Sequence, residues 1–299
     1  MRRFSPLLIL VTLMATLLPT VVLGAMAGPT LTNVLTVDQT IPQGPVFLRL
    51  IEVTTPAGST LRSQSAGMIY GLDGAAAITL PGKAATNVGA GVALALPGGA
   101  EQTVQVGSGL ARFLFFSIVP SAQGAPATFA GSGASERVVY TSPATVTDLA
   151  PGPYDFTVQR AVWAPNAPLT GPHHRTGVAL YDIIAGTYTI ETGGQMRDVP
   201  AGGTNLESKG EVHRNVNRTN APVQAVFFTL TPKGQPIVVQ DTPTAGVAPP
   251  TGGTSTTTLP ATGQARPRGI NHAELIATIS AAVLLIVGVT LRVQRRSAR

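Results

Sequence analysis

Few residues in this chain can do chemistry. It has four His, no Cys and one Trp in 299 residues. Without Cys there is no thiol nucleophile, no disulfide framework, no Cys-based zinc site and no iron–sulfur cluster. Imidazole binds divalent metals and changes charge near neutral pH, so it is the main reactive group left. His173, His174 and His213 sit in polar stretches between apolar runs, and His272 sits beside an apolar C-terminal segment. Lys209, Arg214 and Arg218 surround His213; they could receive an anionic ligand or form a solvated loop. Other templates are missing. No Gly-x-Ser-x-Gly elbow, Walker loop, His-Glu-x-x-His run or dinucleotide-binding glycine pattern occurs. Trp163, within an apolar run, reads as core or as lining of an enclosed site.

The elements that would position these groups are set by composition and patterning. The chain is 44% hydrophobic, 11% charged and 5% aromatic, with 33 Gly and 25 Pro. This excludes a highly charged disordered protein, and the Gly and Pro follow no collagen period. The formal net charge of +6 belongs to the ends, where Arg2, Arg3, Arg266, Arg268, Arg292, Arg295, Arg296 and Arg299 lie. Between Gly28 and Gly263, 12 basic residues meet 13 acidic ones. No basic face for nucleic acid is visible, so no nucleic-acid partner is expected.

The two ends read as membrane-handling segments. Residues 1–27 are predicted to be a signal peptide. Arg2 and Arg3 precede the apolar core Leu7 to Leu23, and Ala25-Met26-Ala27 supplies a small-x-small cleavage pattern. At the other end, Leu275 to Leu291 is a 17-residue run without charge, followed by a basic tail over 292–299. At about 1.5 Å per residue the run spans about 25 Å, enough for a short transmembrane helix. The basic tail predicts a cytoplasmic C-terminus with everything before the span outside. Residues 239–274 form a stalk rich in Pro, Thr and Gly. Within it, Leu259-Pro260-Ala261-Thr262-Gly263 resembles the LPxTG sorting signal of bacterial surface proteins. That resemblance implies cleavage between Thr262 and Gly263 by a sortase and attachment to the cell wall. Here 11 residues, Gln264 to Glu274, separate motif and apolar span. The alternative is a simple one-span anchor. Either way the expected location is the cell surface, single-pass membrane or wall-anchored.

The region between repeats. Ala111 to Pro120 (ARFLFFSIVP) recurs as Val223 to Pro232 (VQAVFFTLTP), an offset of 112 residues, and Met68 to Gly74 matches Leu180 to Gly186 at the same offset. Residues 121–135 have linker composition, which divides the region into units at 28–120 and 136–238. Apolar, β-branched runs punctuated by Gly and Pro predict strands. They are Val46 to Val53, Ala76 to Leu80, Val92 to Leu96, Ala111 to Val119, Phe156 to Trp163, Tyr188 to Glu191 and Val223 to Thr231. The expected class is all-β, a sandwich or jelly-roll barrel per unit.

Two motifs resemble those of the cupin superfamily. In its second motif, Gly is followed after five residues by Pro-x-Gly, after two more by His and after three more by Asn. In the first unit Gly91 precedes Pro97-Gly98-Gly99, then Gln102 and Val106. In the second unit Gly202 precedes Ser208-Lys209-Gly210, then His213 and Asn217, so His and Asn are both kept. Gly74 and Gly186 match the closing glycine of the first motif. Counting back from them places Gly67 and Ala179 where that motif carries Glu. Its His-x-His position then holds either His173 and Arg175 or Pro172 and His174. The chain therefore looks like a bicupin over residues 31–237, with the first unit degenerate.

The resemblance implies two tandem cupin-type jelly-roll β-barrels, flanked by the signal peptide and the transmembrane helix. In metal-binding cupins the interior offers three His and one Glu to a divalent ion. By this likeness His173, His174 and His213 are the candidate metal ligands, for one divalent transition metal in the second barrel. Glu211 or Glu207 could join only if its side chain turned inward. In the first barrel Leu61, Ser63, Gly67 and Gln102 offer no competent set. Two functions are expected to compete. One is a non-enzymatic binding or structural envelope protein, with a small-molecule or glycan ligand. The other is a metal-dependent oxygenase or isomerase-like enzyme using only the second barrel.

Overall fold

The computed structural model describes residues 28–121, 129–142, 146 and 149–242. The segments expected to be a signal peptide, an LPATG sorting motif and an apolar span, with nearly all of the expected stalk, lie outside the described residues. No helix among the described residues is long and apolar enough to cross a membrane. The regular elements described are strands. The first nine are β1 Thr30–Ile41, β2 Val46–Thr55, β3 Thr60–Ser63, β4 Ala66–Asp73, β5 Ala75–Thr79, β6 Thr86–Gly89, β7 Ala93–Pro97, β8 Gln102–Val106 and β9 Ala111–Pro120. Then come β10 Ser135–Thr141, β11 Gly152–Trp163, β12 His173–Arg175, β13 Val178–Ala185, β14 Thr187–Thr192, β15 Gln195–Pro200, β16 Thr204–Glu207, β17 His213–Val216, β18 Val223–Pro232 and β19 Val238–Gln240. Each of the seven apolar runs falls on a strand.

These strands form four antiparallel sheets. The large sheets are β10-β2-β9-β4-β7 and β1-β11-β18-β13-β16. The small sheets are β3-β8-β5-β6 and β15-β14-β17-β12-β19. One large and one small sheet enclose each barrel, giving the jelly-roll arrangement. The repeat is visible in the registers. Met68 pairs with Phe116 as Leu180 pairs with Phe228, and Ser63 pairs with Gln102 as His173 pairs with His213. Gly74 and Gly186 occupy the same turn at φ 63° and 78°. A Cβ on Gly74 would lie 2.0 Å from the Leu110 carbonyl oxygen, so both φ and space demand glycine there.

The leading strands are exchanged. β1 opens the first unit in sequence but pairs with β11 of the second. β10 opens the second unit but pairs with β2 of the first. Each large sheet is therefore completed by a strand from the other half.

The large sheets also bury both faces, which explains why β9 and β18 read as unbroken apolar runs rather than alternating ones. Along β9, Phe113 and Phe115 point into the first barrel, while Leu114 and Phe116 point at the other large sheet. Along β18, Phe227 points into the second barrel and Phe228 outwards to the shared layer. The repeat-related Phe116 and Phe228 stack there with centroids 5.3 Å apart and planes 7° off parallel. Burying such aromatic area contributes about 1.5–3 kcal/mol per side chain.

Candidate functional site

The two barrels are closed by the same backbone but filled differently. The first is apolar: Ile51, Ile69, Ile78, Val104, Phe113 and Phe115 are buried within it, and Phe129 packs edge-on against both phenylalanines at 5.4 and 5.3 Å. A Cβ on Gly67 would stand 2.5 Å from Cζ of Phe115, so that ring fills the space a carboxylate there would need. Gln102 is buried, with Nε2 donating weakly to the Ser65 carbonyl at 3.4 Å.

The second barrel carries a polar cluster at the matching positions. β12 is short, and period-two alternation sends His173 and Arg175 inward and His174 outward. His173 is thus the first inward residue of the pair, the His173/Arg175 register. His174 instead meets Asp241, with Nδ1 2.9 Å from Oδ2. His213 on β17 lies opposite His173, ring centroids 4.4 Å apart. Of the three candidate ligands the fold therefore joins His173 and His213 and sends His174 to the other face.

Both inward imidazoles are held alike. Nδ1 of His173 lies 2.8 Å from the Gly171 carbonyl oxygen, and Nδ1 of His213 lies 2.8 Å from the Glu211 carbonyl oxygen. A carbonyl only accepts, so each Nδ1 carries the proton and each Nε2 faces inward. The carboxylate that turns inward is Glu207. Its strand β16 pairs with β13 so that Glu207 lies directly across from Ala179. Glu211 stays on the rim, its Oε2 accepting from the Ser208 amide at 3.3 Å.

Glu207 is fully engaged. Arg175 Nε donates to Oε2 at 2.9 Å, and His213 Nε2 lies 2.9 Å from Oε1. The Tyr181 hydroxyl donates to Oε2, and the Tyr188 hydroxyl lies 3.4 Å from Oε1. Arg175 Nη2 also donates to the Tyr181 oxygen at 2.6 Å, and its guanidinium stands 5.7 Å from the Tyr181 and Phe227 ring centres. Tyr188 gives its one proton to Asn215 Oδ1 at 2.5 Å, and Asn215 Nδ2 lies 3.4 Å from His173 Nε2. Arg175 and Glu207 side chains are only 3% and 1% exposed. Trp163 packs at a tilt against Tyr188 and Phe227, in the core.

The charges follow from these contacts. Burial would push the Glu207 carboxyl up, but the Arg175 charge and the contacts to His213 and Tyr181 outweigh it and hold it down at about 2. Burial would lower His213, yet Glu207 beside it raises it above the usual histidine value. His173 is lowered, mainly by burial, with His213 and Arg175 adding to the effect. Contact with Glu207 thus raises one imidazole, while burial lowers its neighbour.

A divalent metal does not fit this arrangement. The carboxylate is already neutralised by a guanidinium in the barrel interior, and a second cation there would meet Arg175 at close range. Among the described residues no group of three or more His, Cys, Asp or Glu side chains is arranged to hold a metal ion. Arg175 itself was legible only as one register of the His-x-His position, with no signal that it carried the counter-charge.

The remaining expected residues build turns. Gly91 and Gly202 have φ of 80° and 82°, and Gly99 and Gly210 have φ of 78° and 73°. Asn217 is buried, with Nδ2 donating to the Ala164 and Ala221 carbonyls at 2.8 and 2.7 Å and Oδ1 accepting from Thr219. Arg218 pairs with Asp198 and Arg214 with Glu191 at the surface, while Lys209 is exposed.

No family model matches the chain, and no curated protein matches it. Solved structures that resemble it include oxalate decarboxylase from Bacillus subtilis, at 13% identity and TM-score 0.48, covering 70% of this chain and 76% of that one. Vicilin from Corylus avellana aligns at 12% identity and TM-score 0.45 over 62% and 76%. A cupin 2 conserved barrel domain protein from Leptotrichia buccalis aligns at 14% identity and TM-score 0.39 over 69% and 97%. At these identities the likeness concerns the fold alone, and no residue role is taken from it.

Proposed function

We propose that this chain is an exported bicupin, anchored at the cell surface by its C-terminal span or through its LPATG motif, that acts by binding or by building the envelope rather than by catalysis. The observation that carries the non-catalytic reading is the Arg175–Glu207 pair. A general base or a metal ligand needs a carboxylate with a free lone pair facing substrate or ion. Glu207 instead spends both oxygens on Arg175, Tyr181 and His213. The bicupin reading is supported by the motif spacing, whose glycines fall on matching turns of both barrels. The surface reading rests on the charge pattern of the two ends, and a small molecule or glycan is the class of ligand in view.

The test uses the full chain. It is expressed in a Gram-positive host, fractionated into membrane and wall, then purified and analysed for bound transition metal. Recovery at the surface with less than about a tenth of an equivalent of metal is expected, given that a protein site normally needs three or four ligands. About one equivalent, retained after dialysis, would overturn the non-catalytic reading in favour of a metal-dependent enzyme. Recovery in the cytoplasm would overturn the surface reading.

A further inference from the structure

We propose that Arg175 is a built-in cation, and that this one side chain separates the second barrel from a working divalent-metal centre. The inference deepens the metal-free reading above and rests on it.

Three observations on independent elements meet here. First, the two imidazoles are already oriented as ligands. The Gly171 and Glu211 carbonyls fix Nδ1 of His173 and His213, which leaves both Nε2 atoms directed inward. Holding the far nitrogen by a backbone carbonyl is how proteins set the tautomer of a metal-bound imidazole. Second, Arg175 shares an inward face with His173 two residues away, and it reaches the carboxylate that also meets His213. Position 175 therefore lies on the same small patch as all three other donors. Third, the repeat supplies an internal control. By register, Ser63, Leu96 and Gln102 stand in the first barrel where His173, Glu207 and His213 stand in the second, and Ile69 stands for Tyr181. The backbone closes around an apolar filling, so the fold itself does not require the polar cluster. Burying a carboxylate and a guanidinium is unfavourable before they pair. Their presence sets the charge state of the barrel interior.

The physical consequence is that Glu207 has a counter-ion that cannot be chelated or exchanged. Replacing the guanidinium by a third imidazole would remove that charge and supply a neutral donor. The set would then be three imidazoles and one carboxylate, which suits zinc and cobalt.

The experiment compares the full-length chain with Arg175→His, with Arg175→Met and with the double variant R175H/H213A. Each is expressed in cells supplemented with zinc and, separately, with cobalt. Metal content, visible absorption of the cobalt form and Trp163 emission are read on each. Arg175→His is expected to hold about one equivalent of metal, at least about tenfold more than wild type, with d–d bands near those of a four-coordinate nitrogen–oxygen site. Arg175→Met removes the cation and adds only a soft thioether, a poor ligand for zinc or cobalt, and is expected to hold several-fold less, as is R175H/H213A. Addition of EDTA is expected to lower the unfolding temperature of Arg175→His and to leave wild type unchanged. Arg175→His that is folded and empty, or unfolded in both media, overturns the inference while leaving the metal-free reading of wild type standing. Metal in wild type overturns that reading instead. Equal loading of Arg175→Met and Arg175→His overturns the assignment to position 175.

Discussion

Glu207→Leu tests the energetics of the second barrel most directly. The substitution leaves the Arg175 guanidinium in an interior where its side chain is 3% exposed, with no carboxylate beside it. It also takes the acceptor from the Tyr181 hydroxyl and the partner from His213. Breaking a buried ion pair from one side costs about 3–5 kcal/mol, because the surviving charge stays desolvated. At about 2–4 °C per kcal/mol for a chain of this size, the unfolding temperature falls by about 6–20 °C. The double variant Arg175→Leu/Glu207→Leu removes both charges and brings the site close to the first barrel, where Leu96 holds the position of Glu207. Replacing a whole buried pair by apolar groups is often neutral or better, although Tyr181 and His213 still lose partners at about 1–3 kcal/mol each. The double variant is therefore expected to be at least as stable as Glu207→Leu alone. Trp163 is the one Trp and is 1% exposed beside Tyr188, so its emission during urea unfolding reports this barrel. A cost under about 1 kcal/mol for Glu207→Leu, or a double variant whose loss equals the sum of both single losses, would refute the reasoning.

Two further outcomes are expected. The Glu207 carboxyl moves from an ordinary 4.5 to about 2 in the fold, so its stabilisation is present above pH 4.5 and lost as pH falls towards 2. The shift corresponds to about 3 kcal/mol at about 1.4 kcal/mol per pH unit. Urea midpoints measured at pH 5 and pH 2.5 should therefore diverge in wild type and converge in Glu207→Gln; parallel curves would remove Glu207 as the acid-sensitive group. Gly67→Ala places a Cβ 2.3 Å from the Phe116 carbonyl oxygen and 2.5 Å from the Phe115 ring. Overpacking of this kind costs about 1–3 kcal/mol, read as a lowered unfolding temperature, and an unchanged temperature would show that the first barrel is looser than described.

What was readable in the sequence follows the range of the signals. The Val46 to Val53, Ala111 to Val119 and Val223 to Thr231 runs are strands because β-branched and aromatic residues crowd between Gly and Pro, a local property. The repeat offset of 112 aligned β4 with β13 and β9 with β18, and the registers agree. The strand exchange left no local trace, since pairing β1 with β11 depends on residues more than a hundred positions away. The site was half legible. His173 and His213 came together because spacing places them on facing strands. Which way Glu207 points, and that Arg175 answers it, depends on the pairing of β16 with β13, which no motif encodes. The anionic-ligand reading of Arg214 and Arg218 gave way to surface pairs with Glu191 and Asp198.

The exchange of leading strands also imposes an order of assembly. Thr36 on β1 meets Thr157 on β11 across 121 residues of chain. β1 thus lacks its β11 partner until the second half has been delivered, and the first barrel's large sheet lacks its edge until β10 arrives. Neither half can finish early, and closing such long loops is slow. A chain built this way reaches its final closure only when both halves are present.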